Sequence, residues 1–225
     1  MSRTLLRPGL IVSCQAFEGE PLFGPAYMTA MARAAIEGGA VGLRANGPDD
    51  IAAIRQVTAL PLIGLYKVRS ATSAVYITPT RSAAAAVVAA GCDVVAVDAT
   101  SRSRPDGETL ADLIAYIRAD LHCAVMADAA SLEDALTAEA LGADYVGTTL
   151  AGYVPGGREA GDGPDLALLA DLVKHCQRPV IAEGRYTTPD QVAEAFACGA
   201  YAVVVGGAIT RPQDITRRFV SAVPH

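Results

Sequence analysis

No stretch of the sequence stays apolar long enough to cross a bilayer. The longest run, residues 83–92, stops after ten residues at Asp93, about half of the ~20 that a spanning helix needs. A basic excess is missing too. Eighteen Lys and Arg stand against 24 Asp and Glu, a formal charge of −6, so there is no general field for nucleic acid or an anionic membrane surface. An anionic ligand would need a local cluster of arginines. Histidine is scarce: His122 and His175 fall just before candidate strands five and seven, and His225 is terminal. None stands at a strand's end, where a triad base or a zinc ligand would be needed. The five cysteines (Cys14, Cys92, Cys123, Cys176 and Cys198) are odd in number and form no C-x-x-C. This is the pattern of core thiols in a reducing cytoplasm, not of a disulfide framework. Residues 10–14 (LIVSC) have the outline of a lipoprotein cleavage site, but no apolar h-region precedes them, and they read as a buried first strand. No linker divides the 225 residues, of which 52% are hydrophobic, so one domain spanning residues 1–225 is expected.

What is present is a repeat. Four segments run from an Ala-rich helical stretch through a small-residue turn into a β-branched run, with turn glycines at Gly39, Gly91, Gly142 and Gly199. Their spacings of 52, 51 and 57 residues are too long for one strand–helix unit and right for two. Intervening strands are visible at residues 60–66, 123–128 and 178–184, with residues 10–14 as the first, which makes eight. Each is short and nearly continuously apolar, as a parallel strand buried on both faces must be. Eight such units predict an α/β fold, a (β/α)8 TIM barrel of the phosphate-binding type. An open doubly wound sheet is the weaker alternative, because no G-x-G-x-x-G follows the first strand.

A barrel of this kind carries its chemistry at the C-terminal ends of its strands. Those ends bear Gln15, Arg44, Lys67, Asp98, Asp128, Thr148 with Thr149, Glu183, and Gly206 with Gly207. So many charges on the rim of an apolar barrel oppose stability and mark a functional set. Asp98, Asp128 and Glu183 could hold Mg²⁺, but Lys67 and Arg44 compete for the same carboxylates, and no metal is assigned. Phosphate has better support. The loops after strands seven and eight begin Glu183-Gly-Arg-Tyr-Thr-Thr-Pro and Gly206-Gly-Ala-Ile-Thr-Arg-Pro. Gly184, Gly206 and Gly207 would let backbone amides approach an anion closely, with Arg185 and Arg211 as supplementary charge; tight packing at a strand end is the plainer reading of the double glycine.

Strands three and seven lie opposite each other in a ring of eight, so Lys67 and Glu183 would face each other across a ligand. Removing a proton from one face of a carbon and returning it to the other requires such an opposed pair. Lys67 would then need a pKa lowered from ~10.4 to about 7–8, which burial and Arg44 would favour. A Schiff-base lysine of the aldolase kind and a rim salt bridge remain as alternatives. The long Gly-, Pro- and Ser-rich segments 68–82 and 151–165 read as lids, and Tyr153 could close over a sugar.

The chain resembles the N-acetylmannosamine-6-phosphate 2-epimerase family, bacterial (β/α)8 enzymes of sialic acid catabolism. The resemblance covers nearly its whole length. It is carried by Ser13-Cys-Gln15, Gly42-Leu-Arg44, Gly64-Leu-Tyr-Lys67, Val75-Tyr-Ile-Thr-Pro-Thr80, Asp98-Ala-Thr with Arg104-Pro-Asp-Gly107, Met126-Ala-Asp128, Ala143-Asp-Tyr-Val-Gly-Thr-Thr-Leu-Ala-Gly-Tyr153, Ala182-Glu-Gly-Arg-Tyr186 and Gly206-Gly-Ala-Ile-Thr-Arg-Pro212. It implies interconversion of N-acetylmannosamine 6-phosphate and N-acetylglucosamine 6-phosphate without a redox cofactor, by a cytoplasmic homo-oligomer, a dimer. Lys67 and Glu183 stand where the family's catalytic lysine and acid stand. Gln15, Arg44, Asp128 and Arg211 fall on its substrate-contacting positions, and the backbone at Gly184, Gly206 and Gly207 on its phosphate site. Residues 68–73 lack acidic groups expected there, so contacts of that loop do not carry over. Another sugar-phosphate isomerase or aldolase, a flavin-dependent oxidoreductase and a non-catalytic sugar-phosphate sensor are the competing readings.

Overall fold

The computed structural model describes residues 5–155 and 161–224. Eight parallel strands close into a barrel in chain order: β1 (Gly9–Cys14), β2 (Gly42–Asn46), β3 (Leu62–Leu65), β4 (Val94–Asp98), β5 (Ala124–Asp128), β6 (Tyr145–Gly147), β7 (Val180–Glu183) and β8 (Ala202–Val205). The ring closes between β1 and β8, with Gly9 opposite Ala202 and Val12 opposite Val205. Helices α1 (Pro25–Glu37), α2 (Pro48–Arg55), α3 (Arg81–Ala89), α4 (Leu110–Ala119), α5 (Leu132–Ala140), α6 (Leu166–His175) and α7 (Pro189–Ala197) follow β1 to β7 in turn. After β8 come a four-residue helix, α8 (Gly207–Thr210), and α9 (Pro212–Val220). Among the described residues no helix is long and apolar enough to cross a membrane.

The expected strands exist, with shifted ends. β3 and β7 each begin one residue after a proline, Pro61 and Pro179, which has no N–H to give a neighbouring strand. The four repeat glycines share one conformation, with φ of 93°, 100°, 103° and 95° at Gly39, Gly91, Gly142 and Gly199. Each closes its helix in the same way. The amide of the next residue, Ala40, Cys92, Ala143 or Ala200, donates to a carbonyl five positions back, the long bond of a glycine-terminated helix.

Side chains alternate across each strand. Val12, Leu43, Leu62, Val95, Val125, Val146, Val180 and Val203 pack outward against the helices. Ile11, Ile63, Val94, Met126, Tyr145, Ile181 and Ala202 fill the barrel's interior. Two residues further along the inward rows stand Ser13, Asp128 and Glu183; Asp98 lies two beyond Ala96, which follows Val94 on the inward row of β4, and Arg44 lies two beyond Gly42. Asp98 and Asp128 are register partners on β4 and β5.

The segment read as a first lid is instead a built part of the barrel's top. Lys67 pairs antiparallel with Ile77. Val68 N–H donates to Tyr76 C=O at 2.9 Å, and Thr78 N–H to Tyr66 C=O at 2.8 Å. Thr78 Oγ1 donates to Ala96 C=O at 2.6 Å, and Val75 and Ile77 are buried. Alternating apolar residues pin this arch where a free lid was expected. Of the second segment, residues 156–160 lie outside the described residues, as does His225. His122 and His175 do lie at the strands' N-terminal face, just before β5 and at the end of α6.

Candidate active site

A cavity of about 570 Å³ opens at the C-terminal ends of the strands, a size suited to a small metabolite. Its wall includes Gln15, Arg44, Lys67, Tyr153, Glu183, Gly184, Arg185, Gly206, Gly207 and Arg211. Nearly all the expected residues therefore converge on one space. Asp128 does not line it. Its side chain is fully buried, holding Arg44 through two bonds, Nη1 to Oδ1 at 3.0 Å and Nη2 to Oδ2 at 2.6 Å.

Arg44, only 1% exposed, also ion-pairs through Nη1 with Glu183 Oε2 at 2.9 Å. Burial works to lower its pKa, but Asp128 and Glu183 outweigh burial and keep the guanidinium charged. Glu183 is pushed up to about 7, chiefly by burial and further by Asp128, against the pull of Arg44 and Lys67. Lys67 is lowered to about 8, by burial first and then by Arg44 and Arg211. An amine and a carboxyl on opposite walls thus titrate about a unit apart, close to neutrality. Among the described residues, two buried side-chain atoms of this wall have no hydrogen-bond partner, Gln15 Oε1 and Arg44 Nε. Such groups are ordinarily satisfied, which sets these two apart in the wall.

The carboxylates considered for a metal do not converge. Asp98 accepts from Thr100 and pairs with Arg102 at 2.6 Å, while Asp128 and Glu183 share Arg44. Among the described residues no group of three or more His, Cys, Asp or Glu could hold a metal ion. Arg185 lines the cavity but gives Nε to Gly163 C=O and Nη1 to Ala151 C=O, both at 2.7 Å, and faces the Tyr153 ring at 5.3 Å. It clamps the β6–α6 loop. At Gly184 the chain turns with φ +111°, a conformation side chains rarely adopt. A Cβ added at Gly206 or Gly207 would come no closer than 3.5 Å to any atom beyond the adjoining residues, so tight packing does not explain the pair. The short α8 after β8 is a recurrent phosphate-cradling element of such barrels.

Four residues had no assigned role in the sequence. Phe17, two beyond Gln15, lies between two cations, with Lys67 Nζ at 4.9 Å and Arg211 Cζ at 4.7 Å from its ring. Glu20 Oε2 accepts from Phe17 N–H at 2.7 Å and pairs with Arg211 at 3.2 Å. Asn46, two beyond Arg44, accepts the Lys67 N–H at 2.8 Å. Thr149 donates to Asp128 and lies within 3.1 Å of Glu183. Spacing by two along the chain was the available signal for Phe17 and Asn46; nothing local identified their partners.

Fold and site together define a (β/α)8-barrel enzyme of the phosphate-binding type, with an acid and an amine opposed across an open cavity. The family described as "Putative N-acetylmannosamine-6-phosphate epimerase" matches residues 28–225. The chain belongs to this N-acetylmannosamine-6-phosphate epimerase family. A relative from Clostridioides difficile, named as a 2-epimerase of that substrate with the same qualifier, is 48% identical over 214 residues, 95% of each chain. One from Cutibacterium acnes is 48% identical over 217 residues, covering 96% of this chain and 93% of its own. The solved N-acetylmannosamine-6-phosphate 2-epimerase of Clostridium perfringens superposes with a TM-score of 0.94 at 45% identity, over 97% of this chain and 95% of that one. A thiamine phosphate pyrophosphorylase of Pyrococcus furiosus, at TM-score 0.60 and 20% identity, shares the fold.

Proposed function

We propose that the protein epimerises C2 of an N-acylamino-sugar 6-phosphate, interconverting N-acetylmannosamine 6-phosphate and N-acetylglucosamine 6-phosphate. The observation that carries this reading is the opposition of Lys67 and Glu183 across one cavity, with pKa values brought to about 8 and about 7. In the open-chain sugar the C1 carbonyl acidifies the C2 proton. One of the pair removes it, leaving an enolate, and the other returns a proton to the opposite face. The partners exchange roles when the reaction reverses. Arg44 meets the developing oxyanion and Gln15 the substituent at C2. Asp128 acts through Arg44, holding it at the wall. The 6-phosphate belongs at Gly184, Gly206 and Gly207 with Arg211, and Tyr153 covers the sugar from the loop that Arg185 clamps. The step as written needs neither a redox cofactor nor a metal.

The reading extends to a cytoplasmic enzyme that works as a homodimer. Five free cysteines suit a reducing compartment. On α9 and beyond, Phe219, Val220 and Val223 are 75%, 57% and 57% exposed, apolar area that a second copy would cover. Light scattering at the monomer mass would remove the dimer from the reading.

Proton NMR of N-acetylmannosamine 6-phosphate in D₂O with the purified protein tests the reaction. The expected result is the gluco epimer carrying deuterium at C2, with no turnover by Lys67→Ala or Glu183→Ala. No epimer from the wild type would sink the proposal. In both directions one of the pair must be protonated and the other not, so kcat/KM should follow a bell with limbs near 7 and 8. A plateau through this range would remove the pair from the rate-determining step.

A further inference from the structure

One hydroxyl hydrogen faces two carboxylate oxygens. Thr149 Oγ1 lies 2.7 Å from Asp128 Oδ1 and 3.1 Å from Glu183 Oε2. Arg44 Nη1 bridges the same two oxygens at 3.0 and 2.9 Å. The difference between the bridges is one of counting. Nη1 carries two hydrogens and can serve both oxygens, whereas a threonine hydroxyl carries one. With both carboxylates ionised, one of the two Thr149 contacts has no hydrogen in it. With a proton on Glu183 both become hydrogen bonds, Glu183 donating to Thr149 and Thr149 donating to Asp128. The residue before it secures the other half of Glu183: Thr148 Oγ1 donates to the Glu183 C=O at 2.8 Å and accepts from its N–H at 3.0 Å.

We propose that Thr149 is a positioning residue for Glu183, its hydroxyl turning between Asp128 and Glu183 as the latter gains and loses a proton, so that the carboxyl keeps one place in both states. The proton being transferred moves only between the substrate carbon and Glu183, and the hydroxyl hydrogen swings but stays on Thr149. Asp128 retains its two bonds from Arg44 throughout. A residue that alternates between acid and base needs support in both states, and a hydroxyl, which both donates and accepts, supplies it. This inference rests on the epimerase reading for its consequence and on geometry alone for its premise.

The charged groups acting on Glu183 are Arg44 from β2, Lys67 beyond β3 and Asp128 from β5, and all three are kept in the variant Thr149→Val, which has nearly the same shape. The ionised state would lose one charge-assisted bond, whereas the neutral state would lose two bonds, the charge-assisted one from Thr149 to Asp128 and the one from Glu183 to Thr149, so Glu183 should titrate lower. Carboxyl ¹³C NMR of glutamate-labelled protein, with the Glu183 signal assigned by Glu183→Gln, reads this directly. The expected shift is downward by roughly half a unit or more, matched by the acid limb of the pH–rate profile. Turnover should fall on the order of tenfold with KM within about twofold, and Thr149→Ser should restore both. An unshifted carboxyl titration in a folded Thr149→Val protein would overturn the proposal, as would a folded Thr149→Ser that fails to rescue. A wild type that epimerises nothing would refute the proposed function instead, and the carboxyl titration would still decide the role of Thr149.

Discussion

Glu183 is held where its ionised form is least comfortable, and this has a measurable cost in stability. Its carboxyl titrates at about 7 in the folded chain against an ordinary 4.5, through burial first and Asp128 second. An acid whose pKa is raised by folding binds more protons in the native state between those two values. Its contribution to stability is therefore fully present below about 4.5 and is lost as pH rises through about 7. The loss is on the order of 3 kcal/mol. Glu183→Gln cannot ionise, so urea melts at pH 5 and pH 8 should show a smaller fall in stability across that interval than the wild type, although turnover is gone. An identical fall in the variant would place the pH sensitivity in another group. Lys67 is strained in the opposite sense: its ammonium is disfavoured by burial and by Arg44, so both ends of the proton path are tuned toward neutrality.

At the scale of elements, much was legible because a parallel barrel repeats its rules. Short, nearly continuous apolar runs and the four recurring glycines gave eight strands and put Arg44, Asp98, Asp128 and Glu183 at strand ends. Strand ends slipped by a residue or two where Pro61 and Pro179 interrupt the ladder. Pairing was not legible. Arg44 and Asp128 are 84 residues apart, and alternation tells which way a side chain points without telling what it meets. The arch after β3 was read as a lid because its Ser and Thr content outweighed the Val75-Tyr-Ile77 row that pins it. Gly64 shows the same limit. The sequence offers it only as part of a family motif, but in β3 a Cβ there would stand 2.6 Å from Cys92 Cβ and 3.0 Å from Ile51 Cδ1. The Cys92 Cβ is fixed by its own backbone and cannot swing clear of β3, and Ile51 is fully buried. Alanine is usually the better strand residue, but Gly64→Ala is expected to destabilise by about 1–3 kcal/mol. Thermal melts that match the wild type would show that β3 and α2 can move apart.

The whole molecule divides its tasks between two faces. The mouth concentrates opposed charges, buried polar atoms without partners and left-handed backbone at Gly184 and Arg185. The floor is satisfied and apolar. There the Tyr145 hydroxyl, inside the barrel, accepts the N–H groups of Leu5 and Leu6 at 2.9 and 3.0 Å. Tyr201 Oη donates to Leu6 C=O at 2.8 Å, and Leu6 itself is only 2% exposed. This segment seals the end of the barrel that carries no chemistry. Tyr145→Phe would leave two amides there without their acceptor, a loss of roughly 1–3 kcal/mol and several degrees in Tm for a chain of this size. Its kcat and KM at a temperature where the variant is folded should equal those of the wild type, since Tyr145 stands at the start of β6 and lines no part of the cavity. Thr149→Val, two residues past the end of the same strand, should do the reverse, changing the pH–rate profile while leaving Tm nearly in place. Measuring both variants side by side tests the division: a Tyr145→Phe protein that melts normally but turns over slowly would mean that the floor shapes the site through β6.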